Sequence, residues 1–285
     1  MTMPSKKRRR KIVVLSDEHC GHIVGLTPPS WQWAGEGGTR YKRAKFHRVQ
    51  QEIWNRYYAY SRQIGPVDLV VHLGDMIDGK GEGSGGAELL TGDRQDQVDM
   101  AVECARVWKT DQRRVILGTP YHSGACEEWE IEVARDLDCK WGIHDFVEIN
   151  GVVFDLKHHI GRSEVPHTRS TALAREAYWN LIWNVSEYAP RANWILRGHV
   201  HYSEWCGRYV GSEAITAMTA PSLQGMGTRF GAKRMSGTVH WGLIYIEVTP
   251  AGRAEVEPIV TVIETQKTSP DRLFTHPHGT GKKTG

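Results

Sequence analysis

Asp17-Glu18-His19, Gly74-Asp75-Met76-Ile77-Asp78, His158-His159 and Gly198-His199-Val200-His201 place acids and imidazoles in four short stretches where cations could sit. Asp17 and His19 are two residues apart, as are His199 and His201. On an extended segment such residues point to the same side, where both address one cation. Asp75 follows a glycine that lets the chain turn, and a carboxylate has two oxygens with which to bridge cations ~3.5–4 Å apart. Mixed carboxylate and imidazole ligands suit Zn, Mn, Fe or Ni better than Ca or Mg. A single His or Asp has many ordinary uses in hydrogen bonding and turns, but four such stretches in order point to metal-assisted chemistry.

Each stretch closely follows a β-branched or aliphatic run, at residues 12–15, 69–73, 152–156 and 194–196. Strand ends converge on one edge of an open α/β sheet, which is where such folds keep their sites. Between the strands the pattern becomes helical. Residues 41–63 carry Phe46, Val49, Ile53, Tyr57 and Tyr60 at helical spacing and stop near Gly65-Pro66. Further helices are predicted over 95–109, 127–137 and 171–188, the last with Tyr178, Ile182 and Val185 on one face and Trp179 and Trp183 as core. Residues 79–92 read as a Gly-rich loop, and 115–117 as a short strand. Asn150-Gly151 reads as the tight turn of a hairpin between 146–149 and 152–156. Strands follow at 207–211, 214–219, 240–248 and 254–263. This order implies one α/β domain with two packed sheets over 12–265, a basic tail at 1–11 and a flexible tail at 266–285.

With 36 Lys and Arg against 33 Asp and Glu, the net charge of +3 does not by itself argue for nucleic-acid binding. Five scattered cysteines without a CxxC pair read as reduced thiols, and the four apolar residues after the basic run are too few for a signal peptide. No segment has the ~18 apolar residues of a membrane span. The expectation is a soluble, cytoplasmic protein.

Asp17-x-His19, Gly74-Asp75-x-x-Asp78, a later His and Gly198-His199-x-His201 together resemble the calcineurin-like metallophosphoesterases over roughly residues 12 to 248. Leu117-Gly118-Thr119-Pro120-Tyr121-His122 and Pro221-Ser222-Leu223-Gln224 resemble the phage and prophage branch. The resemblance implies an αββα four-layer sandwich, with two packed mixed sheets flanked by helices and two divalent metal ions. Asp17, His19 and His201 would then hold the first metal, Asp75 would bridge, and His199 with His158 would hold the second. His159 is the alternative to His158, and Asp78 would orient a ligand or serve as a turn residue. The family usually has Gly-Asn-His followed by an acid in its third motif, the Asn ligating the second metal. Here Thr119 stands at the Asn position and His122 follows three residues later, as acid or replacement ligand.

The implied reaction is hydrolysis of phosphate esters by a metal-bridging hydroxide, with His122 protonating the leaving group. Arg162 and Arg229, with Lys233 and Arg234, are candidates to clamp phosphate. Phosphodiesters, DNA or RNA among them, are the expected substrates. The run Lys6 to Lys11 would track a backbone, and Trp31, Trp33, Tyr121 and Trp205 would stack bases. A phosphomonoesterase or protein phosphatase, and a catalytically weak, metal-containing nucleic-acid-binding module, are the alternatives. A barrel amidohydrolase needs more βα units than the chain offers.

Overall fold

Runs of β-branched and aliphatic residues are stable as strands covered on both faces. Residues 12–15 and 69–73 become β1 (Arg10–Leu15) and β2 (Val67–His72), paired in parallel with Ile12 opposite Leu69. Alternation sends Val13, Leu15 and Val70 to one face and Ile12, Val14, Leu69 and Val71 to the other. The computed structural model describes residues 8–33, 44–124, 127–163, 165–210, 213–226 and 239–267.

In chain order, β1 is followed by α1 (His47–Ile64), β2, α2 (Arg94–Ala105), β3 (Thr110–Ile116), the single turn α3 (Pro120–Ser123), α4 (Trp129–Asp136) and β4 (Lys140–Gly142). Then come β5 (His144–Ile149), β6 (Val152–Lys157), α5 (Arg169–Val185), β7 (Trp194–Arg197), β8 (Glu204–Val210), β9 (Glu213–Thr219), β10 (Trp241–Val248) and β11 (Ala254–Thr261). One mixed sheet has the order β11-β10-β1-β2-β3-β4 and the other β5-β6-β7-β9-β8. Local chemistry sets several boundaries. Asp93 caps α2 by accepting from the Gln95 and Asp96 amides, and Gly65 ends α1 with φ 74°. Asn150 and Gly151, at φ 53° and 93°, make the tight turn between β5 and β6.

Three apolar clusters define the layers. Ile12, Val14, Val71 and Ile244 of the first sheet meet Phe154, Leu156, Leu196 and Met218 of the second. The outer face of the first sheet packs on Ile53 and Tyr57 of α1, Ala101 of α2 and Val133 of α4. The outer face of the second packs on Leu173 and Ala177 of α5. The protein is therefore an α/β fold, an αββα sandwich of four layers.

Several expectations need correction. β1 begins at Arg10, inside the segment expected to be a tail, because acids of the same sheet receive the basic residues. Asp68 accepts from Arg8, Arg10 and the Lys11 amide, and Glu247 pairs with Arg9. Gln266, expected in the other tail, is tied to the Met226 backbone. β3 starts five residues earlier than expected because its first half is polar and only partly buried, and β4 went unread. On α5, Tyr178, Trp179 and Ile182 face outward, each about half exposed, and Val185 is 85% exposed. Trp179 and Trp183 stack on each other at 6.1 Å rather than filling the core. The inner face is instead Leu173, Ala174, Glu176, Ala177 and Asn180, because it meets buried charges of β6 and β7. Lys6, Lys7, Cys126, Arg229, Lys233, Arg234 and residues 268–285 lie outside the described residues.

Candidate metal centre

The loops after β1 and β2 stay paired beyond their strands. The Asp17 amide donates to the Gly74 carbonyl at 3.0 Å, and the His19 amide to the Asp75 carbonyl at 2.9 Å. The Gly198 amide donates to the His158 carbonyl, and the His199 amide to Asp17 Oδ2 at 3.1 Å, which brings the second sheet to the same edge. The expected extended spacing is not what aligns the side chains. Asp17, His19, Asp75, His199 and His201 all have left-handed backbones, with φ between 46° and 72°. They are five of the nine non-glycine residues with positive φ among those described, so the strained turns are concentrated here. Crowding fixes the intervening glycines. A Cβ on Gly118 would lie 2.1 Å from Asp75 Oδ1, and one on Gly74 would lie 2.6 Å from His158 Cγ.

Among the described residues three groups of donors result: Asp17, His19 and His201; Asp75, His158 and His199; and His19, Asp78 and His122, which shares His19 with the first. Asp17 Oδ1 lies 3.1 Å from His201 Nε2, and His201 Nε2 lies 3.2 Å from His19 Nε2. Asp75 Oδ2 lies 3.0 Å from His158 Nε2, with His199 as the third member. His158, not His159, enters the group; His159 packs its ring 4.8 Å from that of His199. His122 stands between the first two groups, its Nε2 4.0 Å from Asp75 Oδ2 and its ring 4.5 Å from that of His19. The Thr119 hydroxyl is turned to Asp75, and the Thr119 amide donates to Asp75 Oδ1 at 2.7 Å. Thr119 therefore holds a carboxylate in place and lines the site. Arg162 is exposed on the segment that follows β6.

Hydrogen bonds behind the donors fix their tautomers. Asp78 Oδ1 accepts from His19 Nδ1 at 2.9 Å, and the Leu73 carbonyl accepts from His158 Nδ1 at 2.6 Å. In both rings this leaves Nε2 for the site. Asp17 Oδ2 is occupied by Ser16 and the His199 amide, while Asp17 Oδ1 faces His201 Nε2 and His158 Nε2 faces Asp75 Oδ2. Buried carboxylates and imidazoles that converge this closely fit a cation between them. These Asp and His groups have the donor chemistry and the spacing to hold metal ions.

The electrostatics agree. Burial, then the neighbouring His122, pushes His19 down to about 4, and burial with His158 does the same to His199, so both rings are neutral at neutral pH. Burial also disfavours charge on His158, but Asp75 and Asp17 outweigh it and raise that ring to about 10. Burial opposes ionisation of Asp17 and Asp75, yet the surrounding histidines hold both well below the usual carboxylate range. Without metal, His158 keeps a proton up to about pH 10, and a cation at Nε2 must expel it. The apparent metal association constant is therefore expected to rise about tenfold per pH unit from 6 to 9. Calorimetric titration with Mn²⁺ at pH 7, in buffers of different protonation enthalpy, checks this. About one proton released per chain is the expected result, and none would contradict it.

Two residues near the site carried no motif. Glu18, between two candidate ligands, accepts from His72 Nδ1 at 2.7 Å in the core. Glu130 of α4 lies fully buried behind Asp75, and burial with the Asp75 charge pushes it up to about 7. Only a helix was legible at Glu130, since the carboxyl contacts backbone from loops distant in sequence.

No family model matches the chain, and no curated protein matches it. Among solved structures it is similar to an archaeal phosphodiesterase at 12% identity, covering 88% of this chain and 99% of that one, with a TM-score of 0.41. A Thermotoga maritima protein matches at 14% identity over 88% and 99% of the two chains, with a TM-score of 0.37. Thermus thermophilus sulfate thiohydrolase SoxB matches at 12% identity over 92% of this chain and 58% of that one, with a TM-score of 0.39. Likenesses so distant carry no argument, and the centre stands on its own geometry. Among the described residues no helix is long and apolar enough to cross a membrane.

Proposed function

We propose that this chain is a phosphoesterase of the calcineurin-like kind that works with two divalent cations, and that phosphodiesters, including nucleic acid, are its substrates. The observation that carries this reading is the convergence of two largely buried donor groups, with Asp17 Oδ1 3.1 Å from His201 Nε2 and Asp75 Oδ2 3.0 Å from His158 Nε2. Asp17, His19 and His201 would hold one cation, and Asp75, His158 and His199 the other, with Asp75 serving both. Such ions, when bound, supply Lewis-acid charge to phosphoryl oxygens and lower the pKa of a coordinated water.

The remaining tasks belong to side chains. Asp78 keeps His19 in the tautomer that offers Nε2. His122 Nδ1 donates to the Asp78 carbonyl at 2.9 Å, so its Nε2 faces the cluster and is placed to pass a proton to the leaving oxygen. Thr119 provides no carboxamide ligand, so the second cation has one protein donor fewer than the family pattern implies.

A cationic cleft supports the polymeric substrate. Lys45, Phe46 and Arg48 line a cavity of about 460 Å³ with Val24 and Met226. Among the described residues no carboxylate pairs with Lys45 or Arg48. The backbone joins this cleft to the centre, since the Gly225 amide donates to the Val24 carbonyl and the Gln224 amide to that of Asp17. By contrast, Arg8, Arg9 and Arg10 of the basic run are spent on Asp68 and Glu247.

The test is turnover by Mn²⁺-loaded protein of bis-p-nitrophenyl phosphate beside p-nitrophenyl phosphate. Preference for the monoester would favour a phosphomonoesterase, and DNA binding with no cleavage would favour a binding module. In the double variant Lys45→Glu, Arg48→Glu, KM for DNA or RNA is expected to rise, and its logarithmic salt dependence to flatten by about 2. Turnover of the small diester should be unchanged. An unaltered KM for nucleic acid would remove the polymer from the proposal.

A further inference from the structure

Glu130 is the second residue of α4 and is 0% exposed. Its two oxygens are committed to different loops. Oε1 accepts from the Met76 amide at 2.6 Å, and Oε2 accepts from the Gly118 amide at 2.5 Å. Short bonds from amides to an acidic oxygen are among the stronger ones. Met76 directly follows Asp75, and Gly118 directly precedes Thr119. Glu130 thus joins the loop after β2 to the loop after β3 on the side away from the donor groups.

That junction determines where Asp75 points. Gly118 is seated so closely that its Cβ position falls 2.3 Å from the Asp75 nitrogen, and only its lack of a side chain permits the approach. With Gly118 held there, the next amide, that of Thr119, reaches Asp75 Oδ1 at 2.7 Å and leaves Oδ2 facing His158. In this chain Thr119 fixes no cation through a carboxamide, so the two loops are aligned from behind. We propose that Glu130 is a positioning residue whose two backbone bonds aim the Asp75 carboxylate and thereby set the affinity of the cation shared with His158 and His199. This rests on the two-cation reading above.

Glu130→Gln is the informative change. It keeps the shape, but a carboxamide has one acceptor oxygen, so its NH₂ must face one of the two amides donor to donor. Outer-shell changes of this kind typically cost 10–100-fold in metal affinity. Calorimetry with Mn²⁺ is expected to show two binding events in the natural protein and, in the variant, the event completed by His158 and His199 weakened by about that factor and more than the other. With bis-p-nitrophenyl phosphate, kcat at limiting Mn²⁺ should fall while KM holds, and excess Mn²⁺ should restore it. A structural role alone would lower the melting temperature without separating the two events. Two events of natural affinity in folded Glu130→Gln would overturn the proposal. If the natural protein bound no Mn²⁺ at all, the two-cation reading would fail instead. Should the variant not fold, amide exchange in the natural protein decides: the Met76 and Gly118 amides should be strongly protected, and exchange at the rate of unprotected amides would refute the clamp.

Discussion

Asp75→Asn is expected to lower turnover of phosphate esters by about 1,000-fold or more, equivalent to the several kcal/mol of charge stabilisation a bound cation supplies. The asparagine would retain an oxygen to accept the Thr119 amide now bound by Oδ1. Its NH₂ would then occupy the Oδ2 position, 3.0 Å from His158 Nε2 and 4.0 Å from His122 Nε2, with neither charge nor lone pair to offer. Loss of the carboxylate also removes the main support for the proton on His158, so that ring should titrate well below about 10. Equilibrium dialysis against Mn²⁺ and steady-state kinetics on bis-p-nitrophenyl phosphate provide the check. Natural metal content with turnover within threefold would dismiss Asp75 as a shared ligand.

The second large effect is on stability. Arg197 is 0% exposed at the end of β7. Its Nη1 donates to Asp155 Oδ1 at 2.7 Å and to the Asp155 carbonyl at 3.1 Å, while Nε donates to Glu176 at 3.0 Å. His144 and Asn180 add bonds to Asp155, and Lys157 lies 3.3 Å from Glu176. Arg197→Met would leave two acids poorly compensated in the interior, which typically costs about 3–5 kcal/mol. At ~2–4 °C per kcal/mol for a domain of this size, the melting temperature should drop by roughly 10 °C. Replacing Asp155 and Glu176 by Leu in the same chain should recover most of the loss, since a buried ionic group exchanged whole for apolar side chains is often neutral. A drop of less than 2 °C for the single change would show the cluster to be energetically idle.

The same charges explain where sequence reasoning failed. On α5 the spacing put Tyr178, Ile182 and Val185 on one face and Trp179 and Trp183 read as core, but the sheet offers Asp155 and Arg197 to that helix. Small and polar residues therefore face in, and the large ones face out. Periodicity reports that a helix has two unlike faces, not which one the neighbouring sheet accepts. The strand ends were easier to read, because a β-branched run followed by Gly-Asp or Gly-His signals both a strand and its termination. His158 was preferred to His159 only through the family resemblance, since no local signal shows that the Leu73 carbonyl holds one ring. Glu130 was invisible because its partners are backbone amides, which every residue but proline has. The basic run misled in the opposite direction, as nothing local to it shows that Asp68 and Glu247 lie alongside.

A protein with regular strand ends will not acquire this centre by substitution of side chains alone. At Asp17, His19, Asp75, His199 and His201 the aim of each donor is a property of its own backbone. Transferring those identities to ordinary β geometry would send the groups elsewhere. A designer would have to transplant whole loops with their glycine neighbours. A recipient lacking room for them would gain the ligands' composition without their convergence.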